Sequence, residues 1–124
     1  MSVFVDTSVF LAVLSEDDNN NVIASEMLAS LAEHGEQLIT TNYILVESYA
    51  LIQRRMGMNA IRDFQDKILP ALITVWISME EHQRAMGQFL SENRRTLSFV
   101  DCSSVEKVFT FDSHFREQGF GIIP

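Results

Sequence analysis

Four acidic residues stand at or beside the ends of short apolar runs: Val3-Phe4-Val5-Asp6, Ile44-Leu45-Val46-Glu47, Ser98-Phe99-Val100-Asp101 and Val108-Phe109-Thr110-Phe111-Asp112. An ionised carboxylate beside buried strand or helix is costly unless something positive compensates it. Four such sites, spread along a chain of 124 residues, suggest that folding gathers them around a cation. The donors are oxygens, with no cluster of cysteine or histidine, and this suits a hard ion such as Mg²⁺ or Mn²⁺. One or two such ions favour phosphodiester chemistry, because they position a phosphate, activate water and stabilise the leaving oxygen.

Each acid also has a plainer reading. Asp6 and Asp101 precede helical segments and are good N-caps. Glu47 is harder to explain that way. Its helical neighbours at three and four residues are Tyr43, Ile44, Ala50 and Leu51, none of them basic. On that face a carboxylate is pushed toward protonation, or is held ionised by a metal or a distant cation; on the opposite face it is an ordinary solvated glutamate. His34, His82 and His114 are scattered without ligand spacing and read as surface or core residues. Cys102 has no base near it in sequence and reads as a small buried side chain. Arg94, Arg95 and Arg116 are candidates for phosphate contact, although a solvated face is the commoner use of an arginine.

These residues must be positioned by alternating strands and helices. Residues 2–6 read as a buried strand, apolar on both faces. Residues 9–14 read as a buried helix behind the capping segment Asp6-Thr7-Ser8. After a polar hinge over 16–21, a second helix carries Ala24, Met27, Leu28 and Leu31 on one stripe and stops at Gly35. Residues 37–41 form the next strand. A helix over 43–56 follows, with Arg54 and Arg55 in its last turn and Gly57 at its end. Asn59 is the expected cap of a further helix bearing Ile61, Phe64 and Ile68, closed near Pro70. Residues 73–77 read as a strand, and Ser78-Met79-Glu80-Glu81 as a capping box ahead of a helix with His82, Ala85, Met86 and Phe89 at helical spacing. Strands over 108–111 and 120–123 complete the pattern. Such alternation implies a mainly parallel sheet covered on both faces by helices.

Length and composition point to one soluble domain over residues 1–124, large enough to bury a core without staples. No apolar stretch approaches the ~20 residues that cross a bilayer, and the first residues lack the basic region of a signal peptide. A single cysteine fits a reducing cytoplasm. The net charge of −8 argues against nonspecific affinity for nucleic acid, although bound divalent ions would offset part of it, and Arg54, Arg55, Arg94, Arg95, Lys107 and Arg116 are available as a basic rim.

Phe4-Val5-Asp6-Thr7-Ser8, residues 40–47 (Thr-Thr-Asn-Tyr-Ile-Leu-Val-Glu), residues 97–103 (Leu-Ser-Phe-Val-Asp-Cys-Ser) and residues 109–115 (Phe-Thr-Phe-Asp-Ser-His-Phe) resemble, in order and placement, the four motif blocks of the PIN-domain ribonucleases. The resemblance covers essentially the whole chain, and the size is similar to that of the prokaryotic VapC-like toxin branch. It implies a three-layer α/β/α sandwich and a Mg²⁺- or Mn²⁺-dependent endoribonuclease. Asp6, Glu47, Asp101 and Asp112 would be the catalytic and metal-binding acids, with Ser8 supporting Asp6 or a water at the metal. It further implies an RNA substrate, a protein antitoxin and a homodimer. One departure stands out: only residues 102–107 separate Asp101 from the strand at Val108, where family members carry a helix of several turns. An omitted segment near Ser104–Val105 is the expected explanation, and a natural or engineered deletion that alters the site is the alternative. A PIN-like module that binds RNA or protein without cutting is the main rival. A small-molecule phosphatase is the second, but Asp6-Thr7-Ser8 lacks the second acid, two residues on, of a haloacid-dehalogenase-like nucleophile loop.

Overall fold

The computed structural model describes residues 2–92, 107–109 and 121–123. Strand β1 (Ser2–Val5) buries Val3, Phe4 and Val5, as a strand covered on both faces must. It is the centre of a five-stranded sheet of order β3-β2-β1-β4-β5, in which β2 is Gln37–Thr41, β3 Ile73–Val75, β4 Lys107–Phe109 and β5 Gly121–Ile123. Every neighbouring pair is parallel. The chain moves outward from β1 through β2 to β3, then returns past β1 to β4 and β5. A parallel sheet whose described strands alternate with helices is the α/β/α arrangement expected from the sequence. The reversal falls between β1 and β4, so the carboxyl ends of those strands flank the crevice where open parallel sheets bind ligands. Helix α5 (Met79–Glu92) follows β3; residues 93–106, with the Ser104–Val105 bond, lie outside the described residues.

The helices follow from local chemistry. Helix α1 (Thr7–Leu14) begins within the capping segment, because Asp6 caps it. The amide of Asn21 donates to the carbonyls of Ala12 and Val13 at 2.9 and 3.1 Å, closing the far end of α1. Helix α2 (Asn21–Glu33) ends where Gly35 takes a φ of +72°. The Glu36 N–H then reaches the Leu31 carbonyl (3.0 Å) and the Gly35 N–H the Ala32 carbonyl (3.1 Å), the paired closure that a left-handed glycine permits. Helix α3 (Asn42–Met56) ends at Gly57, φ +85°.

Two boundaries differ from the sequence reading. Asn59 does not cap the next helix: Gly57 serves as the end of α3 and the start of α4 (Met58–Asp63), which leaves Asn59 inside α4, where its side-chain oxygen accepts from Arg62 at 2.9 Å. Beyond α4 the chain widens into a π-helical turn, Phe64–Ile68, and a 3₁₀ turn, Leu69–Ala71. The wide turn keeps both Phe64 and Ile68 buried. The Phe64 ring meets Phe10 edge-on at 4.9 Å and Tyr49 at 5.6 Å, so α1, α3 and this turn share one aromatic centre. At the start of α5 the Glu81 N–H donates to Ser78 Oγ at 3.2 Å, as the capping box requires.

One polar contact crosses this apolar region. Thr7 Oγ1 and Ser48 Oγ, both buried, share a hydrogen bond of 3.0 Å that joins the first residue of α1 to the middle of α3. Losing one partner strands the other hydroxyl away from water, so Ser48→Ala and Thr7→Val should each destabilise the fold by about 1–3 kcal/mol. The double variant should lose clearly less than the sum, as denaturant unfolding of the four proteins would reveal; simple additivity would show that the two hydroxyls act independently.

Candidate active site

Asp6 is the first residue beyond β1, and three buried neighbours, Val3, Phe4 and Val5, hold that strand in the core. Its backbone is extended, and its Oδ2 accepts hydrogen bonds from the Ser8 N–H (3.3 Å) and the Ser8 hydroxyl (2.8 Å). Asp6 is therefore a helix cap, the plainer of its two readings, and at the same time stands at the mouth of the crevice beside β1. The Ser8 hydroxyl braces the carboxylate, which is one of the two roles expected of it.

Glu47 arrives from the neighbouring strand. In the parallel pairing of β1 with β2, Phe4 lies opposite Ile39, so Asp6 and Thr41 leave the sheet at the same level. Thr41 caps α3 by accepting from the Ile44 N–H at 3.3 Å, and Glu47 lies in the second turn. Ser48, the next residue, carries the hydrogen bond to Thr7, the residue after Asp6. The two acids are thus set beside the two ends of a single buried hydroxyl contact.

Their proximity is electrostatic as well as topological. Glu47 lies at the exposed rim, yet its pKa is raised above the ordinary 4.5, first by desolvation against the protein and then by the negative charge of Asp6. No basic side chain among the described residues pulls it back down. Two oxygen donors that repel each other at a ligand crevice fit a hard divalent cation, which the protein chemistry of neither alone demands. Among the described residues no group of three or more ligand-type side chains gathers; Asp6 and Glu47 are the two candidate acids that lie among them. Asp101 and Asp112 lie outside the described residues, as do Cys102, His114, Arg94, Arg95 and Arg116.

Several positioning residues escaped the sequence reading. Thr7 and Ser48 each flank an acid with a small hydroxyl, a signal visible only once their partnership is known. The Asn42 side-chain oxygen accepts from the Ile77 N–H at 2.8 Å. The Tyr43 hydroxyl shares a hydrogen bond with His82 Nδ1, their rings edge-to-face at 5.5 Å. Both contacts fasten the start of α3 to the segment leading from β3 into α5. His82 is therefore neither a ligand nor a simple core residue but a brace next to the site.

Comparison with known proteins follows the same lines. The chain is 26% identical over 127 residues to the 23S rRNA-specific endonuclease VapC20 of Mycobacterium tuberculosis, covering 95% of both proteins. Its fold is similar to the crystal structure of that Mycobacterium tuberculosis VapC20, described as a Sarcin-Ricin loop cleaving toxin, with a TM-score of 0.77 at 24% identity over 95% of each chain. It is also similar to a chain of VapBC2 from Rickettsia felis, solved bound to a DNA fragment from its promoter, with a TM-score of 0.71 at 12% identity over 99% of this chain and 98% of that one. The PIN domain model matches residues 3–121, so the chain belongs to the PIN domain family.

Proposed function

We propose that this chain is a metal-dependent endoribonuclease and the toxin of a toxin–antitoxin pair, with residues 1–124 acting as one PIN-like unit. The observation that carries this reading is the convergence of Asp6 and Glu47 at the switch point of the sheet. The kinship to VapC20 over nearly the whole of both proteins supports RNA, and ribosomal RNA first, as the substrate to test. Asp101 and Asp112 complete the acidic set in this proposal. A protein antitoxin and a second copy of the chain are the partners it carries, and the cytoplasm is its compartment. No helix among the described residues is long and apolar enough to cross a membrane.

The roles of the residues follow from their positions. In this proposal Asp6 and Glu47 both supply carboxylate oxygens to the ion, and Ser8 fixes the orientation of Asp6. Ser48 and Thr7 keep the two acids from separating under their mutual repulsion. One or two Mg²⁺ or Mn²⁺ ions held there would supply the positive charge that polarises a water and stabilises negative charge on the departing oxygen.

Three outcomes test this reading. In the presence of Mg²⁺ the wild-type protein should cleave RNA, and Asp6→Asn should lower the rate by more than about 100-fold, since partners one shell further out are already worth 10–100-fold. Equal cleavage by the two proteins would reject the assignment. The second outcome concerns pH. A glutamate with a raised pKa in the folded state is destabilising when ionised, so its penalty is absent below the ordinary 4.5 and complete above the raised value. In EDTA, Glu47→Gln should therefore raise the melting temperature at pH 7 and leave it unchanged at pH 4. Third, millimolar Mn²⁺ should raise the melting temperature of the wild type and that of Glu47→Gln much less; the same shift in both would separate Glu47 from the metal centre.

A further inference from the structure

Trp76, the single tryptophan of the chain, follows directly on β3 and is 71% exposed. A tryptophan ordinarily contributes to folding by burying 150–250 Å² of surface, as large aromatic side chains do; here most of it faces water. Its backbone is nonetheless held in place, because the next residue, Ile77, donates its N–H to Asn42 at the start of α3, and the Tyr43–His82 contact secures the same junction five residues further on. The helix so fastened is the one that bears Glu47. In the register of the sheet, Thr41 pairs with Val75, and Asp6 falls level with Thr41. Trp76 therefore stands at the same carboxyl edge as the acids, about two strand spacings, or ~10 Å, from the Asp6 row.

Charge supplies the second argument. With 17 acidic residues against 9 lysines and arginines, the chain has little of the phosphate attraction that dominates most nucleic-acid binding. A protein so acidic needs contacts to bases, and an aromatic face takes any unpaired base by stacking. We propose that Trp76 is a substrate-binding residue that stacks on an unpaired RNA base next to the cleavage site. This rests on the endoribonuclease reading and adds a residue that sets where along an RNA strand the acids engage.

The test uses steady-state cleavage of a single-stranded RNA with Mg²⁺, together with fluorescence of the sole tryptophan in EDTA. Trp76→Ala should raise KM at least about fivefold, the lower end of what one stacked base contributes, with kcat within about twofold and the melting temperature unchanged. Trp76→Phe, which keeps a stacking face, should stay within about threefold of the wild-type KM. RNA should quench the fluorescence saturably at fixed protein concentration, and raising the salt should weaken this binding only slightly. Robust cleavage with an unchanged KM in Trp76→Ala would overturn the stacking role and leave the nuclease reading intact. Fluorescence that responds to protein concentration and not to RNA would overturn it in favour of a contact between copies of the chain. Absence of any cleavage by the wild type would remove the nuclease reading and this inference with it.

Discussion

The hydrogen bond between Thr7 and Ser48 is the contact on which the described half of the site depends. The negative charge of Asp6 acts on Glu47, and the backbone on which each carboxylate rides must hold the two in place. Asp6 is held by β1 and by its own role as a cap; Glu47 is held by the seating of α3. The buried hydroxyl pair couples these two supports at the residues next to the acids themselves. Its location within the apolar layer around Phe10 and Phe64 matters, because a hydrogen bond sealed from water is costly to break without replacement. The aromatic centre and the acid pair are therefore one construction: the packing of α1 on α3 sets the spacing, and the hydroxyls fix the register.

The same economy is visible at the start of α3. Thr41 caps the helix, Asn42 receives the N–H of Ile77, and Tyr43 meets His82. Three consecutive side chains tie the helix to its own amide groups and to the segment beyond β3. In consequence the rim of the crevice on the β2–β3 side is built from α3 outward, and anything displayed on that rim, Trp76 included, inherits the position of Glu47.

Much of this was legible in the sequence because it depends on short-range rules. Asp6 beside its apolar run, glycines at helix ends, the Ser78–Glu81 capping box and the alternation of strand and helix all express local chemistry, and each is found in the described structure. Asp6 was readable both as cap and as site residue, and the structure shows that the first of these is real while its position supports the second. What escaped depends on pairs distant in the chain. Nothing near Thr7 announces Ser48, and nothing near Tyr43 announces His82. Asn59 was misplaced for a different reason: Gly57 can end one helix and begin the next without a spacer, which leaves no room for a side-chain cap. The influence of one acid on the other is likewise invisible locally: burial is the first cause of the raised Glu47 pKa, and the second, the charge of Asp6, comes from a residue far away in the chain. The remaining acids, Asp101 and Asp112, lie beyond the described residues, and their place in the centre is carried by the family resemblance.

The central position of β1 has a bearing on biosynthesis. Everything from β1 to β3 is contiguous in the chain, so Asp6, Glu47 and the hydroxyl clasp belong to a segment that leaves the ribosome before β4 and β5. The other edge of β1 stays an open row of amide and carbonyl groups until β4 is made, and β5 can pair only after that. Nascent strands with one bare edge are prone to mispairing. Synthesis thus sets a chronology in which Asp6 and Glu47 are in place while the sheet is still unfinished, and β4 covers that edge of β1 before β5 can add to it.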